Sequence, residues 1–147
     1  MCKVEFVLKS YPNVNSPARP IIDIAFKNPS DKNKKFPIIG LVDSGADNCT
    51  IPLKAAQTLG LDLKELNARK IEMGCACGNK KFFGYQYKIL VEFKTIEGNA
   101  VDKLVWVDFA DSDTLPLIGR SFMEIFNRIE YNNEDKKGYF IGLKEED

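Results

Sequence analysis

The stretch "GLVDSGADNCTIP", Gly40 to Pro52, sets two carboxylates, Asp43 and Asp47, either side of Gly45 at the exit of an apolar run. A strand built from "IIGLV" carries Asp43 out of a sheet interior into a turn, where its carboxylate is partly desolvated and has no neutralising neighbour in the next few residues. An unpaired carboxylate in such a place is costly, so the position needs a reason. The local reason is an Asx-type turn, because Asp, Ser and Gly are the usual turn formers. Nucleotide chemistry fails on spacing. A phosphoaspartate transferase wants D-x-D at the strand end, and a phosphate-gripping loop wants several glycines and a Lys, whereas Gly45 stands alone. The chain has no histidine, which removes His triads, Cys–His pairs and His-ligated zinc and leaves acid–base work to carboxylates, Lys, Tyr or Cys. Cys49, just past the loop, has no base to activate it and reads as buried packing.

Several elements must position this loop. Cys2, Val4, Phe6 and Leu8 alternate with charged residues, and Ile22, Ile24 and Phe26 repeat that period of two, so both segments read as half-buried strands. "SYPNVNSPARP" between them is turn chemistry, and "NPSDKNKK" reads as an exposed loop with a solvated, charged tip. "FPIIGLV" makes the strand that delivers Asp43. After Thr50, Pro52 suits a first helical turn, "LKAAQTL" is helix-prone and Gly60 supplies the stop. "KIEMGCACGNKKFFGYQYKILVEFK" reads as two strands joined through a turn around Gly78-Asn79, and "KLVWVDF" as a further buried strand with Trp106 in the core or on a pocket wall. Ser121 and Glu124 fit a capping box, and Phe122, Ile125, Phe126 and Ile129 recur at helical spacing, which predicts a short helix to about Asn127. "RIEYNNEDKKGYFIGL" closes the chain as two strand-like segments around a polar turn. Seven to nine short strands and two short helices describe a mainly-β barrel or sandwich, one domain over residues 1–147.

The wider composition narrows the setting. Lys plus Arg equals Asp plus Glu at 21 each, so no global field points to nucleic acid, a membrane or a strongly acidic partner. No run approaches the roughly 20 apolar residues of a membrane helix, and the N-terminus lacks the apolar stretch of a signal peptide. Four cysteines, Cys2, Cys49, Cys75 and Cys77, are too few and too uneven for a secreted disulfide framework, which makes a reducing, cytoplasmic location the expectation.

"LVDSGADNCTIP" resembles the catalytic loop of the retropepsin-like aspartic peptidases, a D-[ST]-G-A motif preceded by two apolar residues. A second element, "LPLIGRSFMEIF", whose Gly119 lies 76 residues beyond Asp43, resembles the family's apolar-apolar-Gly-Arg segment and the short helix after it. Between them "MGCACGNKKFFGYQY" occupies the place of the family's flap hairpin. The resemblance covers nearly the whole chain, most specifically Leu41–Ile51 and Leu117–Phe126. The terminal hairpin is longer than the single strand ending the viral relatives and is closer to cellular members. The implied fold is the retropepsin-like acid-protease barrel with a flap hairpin and two short helices.

That resemblance implies a function. One D-S-G per chain means that a second Asp43 comes from a twin, on a twofold axis, so the chain is expected to be a homodimeric aspartic endopeptidase acting on an extended polypeptide, without cofactor or metal. Two carboxylates about 3 Å apart cannot both ionise and share one proton, so one activates water while the other protonates the substrate carbonyl. Asp43 is then catalytic, and Ser44, Gly45 and Ala46 form the active-site loop: Ser44 bonds across the axis, and Gly45 leaves room for substrate. Asp47 is implied to take substrate backbone hydrogen bonds and to pair, bidentately, with Arg120; the bland alternative is a surface ion pair worth about 0–1 kcal/mol. Gly74, Cys75, Ala76, Cys77 and Gly78 fall in the flap, with Gly84 adding backbone freedom, and Leu115, Pro116 and Leu117 line apolar substrate pockets. Cys75-x-Cys77 departs from usual flap content and admits three readings: small apolar fillers, a redox-sensitive pair, or half of a thiolate metal site completed across the dimer. The terminal hairpin, with the N-terminal strand, is expected to build the dimer sheet. The alternative function is a catalytically inactive module of the same fold that dimerises and binds extended peptide, and a third is a thiol-based redox or metal-handling protein centred on Cys75 and Cys77.

Overall fold

The structure is a computed structural model, in which residues 2–12, 15, 17–74 and 81–144 are described. Among the described residues, ten strands and two one-turn helices run in the order β1(Lys3–Lys9), β2(Arg19–Asn28), β3(Asp31–Val42), β4(Cys49–Pro52), α1(Ala55–Thr58), β5(Arg69–Gly74), β6(Lys81–Lys94), β7(Ala100–Ala110), β8(Leu117–Ile118), α2(Arg120–Met123), β9(Phe126–Asn132) and β10(Lys137–Leu143). One sheet takes them in the order β5-β6-β7-β4-β8-β3-β2-β1-β10-β9, and a further pairing of β6 with β2 closes its middle strands into a ring.

The β6–β2 contact depends on a charged cluster that the alternation of apolar residues did not reveal. Glu92 of β6 and Asp102 of β7 stand directly opposite each other, a repulsive cross-strand pair. Lys27, buried on β2, reaches both: its ammonium lies 2.6 Å from Glu92 and 3.0 Å from Asp102. The hydrogen bond from Lys27 holds the Glu92 carboxyl below its ordinary range, and the bond to Glu92 raises Lys27.

Four local expectations change. "DKNKK" is not a loop: β2 turns at Pro29-Ser30, with Asn28 Oδ1 accepting the Ser30 N–H at 2.8 Å, and β3 begins at Asp31, carrying its lysines along an exposed strand. Pro52 ends β4, because Cys49–Pro52 finds a parallel partner in Val107–Ala110; the helix waits until Ala55. Its stop is as expected, with Gly60 at φ +66°, the Leu61 N–H bonded to Ala56 and the Gly60 N–H to Gln57, the two bonds of a Schellman motif. The capping box does not form. The cap of α2 is Gly119, without a side-chain bond, and the helix ends at Met123. Phe122 and Phe126 do turn inward, meeting Phe93 and Phe140 at ring separations of 5.3–5.5 Å, but pairing with β10 draws the chain from Phe126 onward into a strand, which leaves Ile129 exposed. The strand count accordingly exceeds the expected seven to nine. No helix among the described residues is long and apolar enough to cross a membrane.

Candidate active site

Asp43 is the first residue beyond β3, and the sheet fixes where it emerges. β3 runs parallel to the two-residue β8, Leu41 beside Leu117 and Val42 beside Ile118. The Leu41 N–H bonds to Pro116 at 2.9 Å and the Asp43 N–H to Ile118 at 2.9 Å. Gly40 makes this pairing possible, since a Cβ there would sit 2.5 Å from Ile118. The turn then closes on the carboxylate itself: Gly45 donates its N–H to Asp43 Oδ1 at 2.9 Å and Ala46 donates to the Asp43 carbonyl at 3.2 Å. The Asx turn expected of a lone Asp-Ser-Gly is thus present, and it leaves Asp43 Oδ2 without a bond from the loop's backbone. Asp43 is half-buried, and Ser44, Gly45 and Asp47 are exposed. A side chain at Gly45 would meet only Asp43 Oδ1, at 3.1 Å, so within one chain the glycine leaves the approach to the carboxylate open.

The far side of the loop is stitched to α2. The Arg120 N–H bonds to the Ala46 carbonyl at 2.9 Å and the Ser121 N–H to the Asp47 carbonyl at 3.0 Å. The Ser121 hydroxyl accepts the Cys49 N–H at 3.0 Å and donates to the Trp106 carbonyl at 2.8 Å. Ser121 therefore clamps β4, β7 and α2 together, a role the capping-box reading missed. Asp47 and Arg120 do pair, through Nη2 and Oδ1 rather than bidentately, with both side chains more than half exposed in the single chain. An exposed contact of this kind contributes little; the backbone bonds carry the pinning. They require Gly119, whose added Cβ would fall 2.3 Å from the Asn48 carbonyl oxygen and 2.6 Å from that of Ala46.

Beneath the loop lies a carboxylate that sequence reasoning passed over. Asp108, 8% exposed, points from β7 to Asn48, whose Nδ2 donates to Oδ1 at 3.1 Å. Burial raises its pKa above the ordinary value, opposed by the hydrogen bonds from Asn48 and Gln86. The available signal was a lone Asp inside the apolar strand "LVWVDF". Because folding favours its protonated form, the charged form costs stability at neutral pH, and that cost vanishes as pH falls below the range where the unfolded carboxyl titrates. Asp108→Asn is therefore expected to melt higher than wild type near pH 7, with the two curves converging in acid, as followed by thermal unfolding at several pH values. Cys49 is fully buried, and desolvation pushes its thiol up to about 11, as suits packing rather than nucleophilic attack.

The remaining expected site residues divide. Pro116 and Leu117 lie beside β3 where Asp43 leaves it, and Leu115, 39% exposed, precedes them. Trp106 is not in the core: it is 48% exposed on β7, with the Lys88 ammonium 5.8 Å from its ring centroid. β5 and β6 form the arms of the hairpin, paired from Arg69–Gln86 to Gly74–Lys81. Cys75, Ala76, Cys77 and Gly78 lie outside the described residues. Gly84 serves close packing rather than freedom, a Cβ there falling 2.6 Å from the Phe109 carbonyl oxygen. Among the described residues, no three His, Cys, Asp or Glu side chains gather as a metal site. A cavity of about 550 Å3 lies away from Asp43, lined by Val4, Ile22, Ile24, Phe93 and Ile96.

No family model and no curated protein sequence matches this chain. Among solved structures it is similar to a retropepsin-like aspartic protease from Rickettsia conorii, at 16% identity and a TM-score of 0.61, with 95% of this chain and 98% of that one covered. It is also similar to the EIAV protease complexed with the inhibitor HBY-793, at 20% identity and a TM-score of 0.41, with 79% and 92% covered. The first of these similarities spans nearly the whole of both chains, and the chain has the retropepsin-like fold.

Proposed function

We propose that this chain is an aspartic endopeptidase whose active site is assembled at the axis of a homodimer, each subunit supplying Asp43. The observation that carries the reading is the Asp43 loop: an accessible carboxylate with one oxygen held by its own turn, anchored by backbone bonds on both sides, and present once per chain in a fold shared with a protein named an aspartic protease.

In this reading the two Asp43 carboxyls hold one proton between them. The ionised member takes a proton from water as the water oxygen attacks the scissile carbonyl carbon, and the protonated member gives its proton to the carbonyl oxygen. The tetrahedral diol collapses as the carboxyl that took the water proton gives it to the amide nitrogen, the other carboxylate takes a proton from a diol hydroxyl, and the C–N bond breaks, which leaves one proton on the pair again. Ser44 ties the two loops across the axis, Gly45 and Ala46 leave room for an extended backbone, Asp47 receives its N–H groups, and Arg120 holds Asp47 in place. The arms β5 and β6, with Gly74 at the end of β5, belong to a flap that closes over the substrate and excludes water. Leu115 and Pro116 favour apolar side chains beside the scissile bond.

The test is cleavage of an unfolded protein from acidic to neutral pH. Wild type is expected to cut it and Asp43→Asn is not; equal turnover by both overturns the proposal. A stable dimer that binds peptide and cuts none at any pH would leave the non-catalytic module in its place.

A further inference from the structure

Asp108 is buried without belonging to the core. Its neighbours along β7, Val107 and Phe109, pack inward, and alternation sets Asp108 on the opposite face of the strand, with the exposed Trp106. Three elements meet over it. Thr50 of β4 lies beside it in parallel register, Gln86 of β6 stands directly across from it, and Asn48, the residue after Asp47, donates to its Oδ1 at 3.1 Å. Gln86 is also where β5 joins β6, opposite Arg69, so this corner lies between the Asp43 loop and the root of the β5–β6 hairpin. The two groups that bond to Asp108, Asn48 and Gln86, are neutral amides, and among the described residues no Lys or Arg pairs with it. Lys88, on the same face of β6 as Gln86, stands by the Trp106 ring instead, and Arg69 is exposed. A buried acidic side chain is rarely left without an opposite charge, and a carboxylate has about four acceptor positions, of which two amides fill about half.

We infer that Asp108, with Asn48 and Gln86 around it, is a specificity subsite for a cationic side chain, lysine or arginine, of the extended peptide; the inference rests on the peptidase reading above. Position makes the substrate the source of the missing charge. In that reading Asp47 receives the substrate's N–H groups and the β5–β6 hairpin closes over the same segment, so a side chain that leaves the bound backbone beside Asp47 and turns toward β4 and β7 meets Asn48, with Asp108 behind it. Chemistry makes it a cation. An apolar side chain in this corner would strip water from a carboxylate without replacing its hydrogen bonds, and an acidic one would add a like charge. Lysine or arginine brings both the donors and the opposite charge. The apolar preference set by Leu115 and Pro116, beside β3, is a separate one. Because the twofold axis repeats Asp108 in each subunit, the cationic preference falls at one position on each side of the cleaved bond.

A library of random-sequence peptides, digested at the highest pH at which wild type cuts, reads the subsite. Cut peptides are expected to carry lysine or arginine at one position on each side of the bond roughly tenfold or more over leucine, with glutamate depleted. Asp108→Asn keeps the shape and loses the charge, and is expected to bring that ratio close to unity; Asp108→Leu is expected to turn it in favour of leucine. A ratio between peptides cut in one tube does not move with the amount of folded enzyme, so a merely structural role for Asp108 would leave it unchanged. If wild type cuts without this preference, or Asp108→Asn retains it, the subsite is overturned and the peptidase stands. If wild type cuts nothing at any pH, the peptidase reading falls, and the peptides retained by the immobilised protein near neutral pH decide. Lysine or arginine enriched on wild type and not on Asp108→Asn upholds the subsite in a peptide-binding module; no such enrichment, or no retention, overturns it as well.

Discussion

Asp43→Asn is expected to fold, melt and self-associate as wild type does while peptide-bond hydrolysis falls on the order of 10⁴-fold or more. The separation of the two outcomes follows from the loop's bonds. Asp43 Oδ1 accepts the Gly45 N–H at 2.9 Å, and an amide oxygen accepts the same bond. The backbone contacts to Ile118 and Ala46 involve only main-chain atoms. What the substitution removes is the second ionisable oxygen, the one that takes a proton from water or returns it to the substrate. In the proposed dimer both subunits lose it together, so the fall exceeds that of a single acid or base. Far-ultraviolet circular dichroism and a melting curve beside the activity assay read both halves of the expectation.

Gly119→Ala is expected to do the reverse, damaging the frame and taking activity with it. The methyl carbon would lie 2.3 Å and 2.6 Å from two carbonyl oxygens of the Asp43 loop. Neither is a side chain that can swing away. Relief requires parting α2 from the loop and lengthening the bonds from Arg120 to Ala46 and from Ser121 to Asp47. A cost of about 3 kcal/mol or more, and a loss of roughly 10 °C in Tm, follows for a chain of this size. Gly74→Ala is the matched control: a Cβ there meets nothing within 4 Å, and its stability is expected within about 0.5 kcal/mol of wild type. The backbone at Gly119 is extended rather than left-handed, so the effect is one of space alone, and serine should fare no better than alanine.

These two positions mark how much of the site could be seen from residue order. Asp43 at a strand exit was legible from the residues themselves, while Gly45 and the Gly119-Arg120 segment were singled out by the resemblance to the retropepsin-like family. The strands β1 and β2 were legible from apolar residues at every second position, and β6 and β7 from apolar segments bounded by turn or polar residues. Pairing partners were not. Pro52 of β4 reads as a helix start until Val107–Ala110 lies alongside it, the lysines of β3 read as a loop until β2 supplies their register, and Phe126 and Asn127 read as helix until β10 pulls them into the sheet. Ser121 illustrates the limit most sharply. Its spacing to Glu124 satisfies a capping rule, yet its hydroxyl bridges Cys49 and Trp106 instead, because those two backbone groups sit on strands whose adjacency no local pattern encodes. The charged group of Lys27, Glu92 and Asp102 spans three strands and was invisible for the same reason.

The claim on which the function depends is that one active site takes Asp43 from two chains, and mixing subunits tests it most directly. Wild type and Asp43→Asn, present in equal amounts and allowed to exchange, should leave only about a quarter of the dimers with both carboxyls. Specific activity per wild-type chain should then halve, and total activity should follow the square of the wild-type fraction across a titration. Activity that instead falls in direct proportion to the wild-type fraction would mean that each chain hydrolyses its substrate alone, and the shared site would be contradicted.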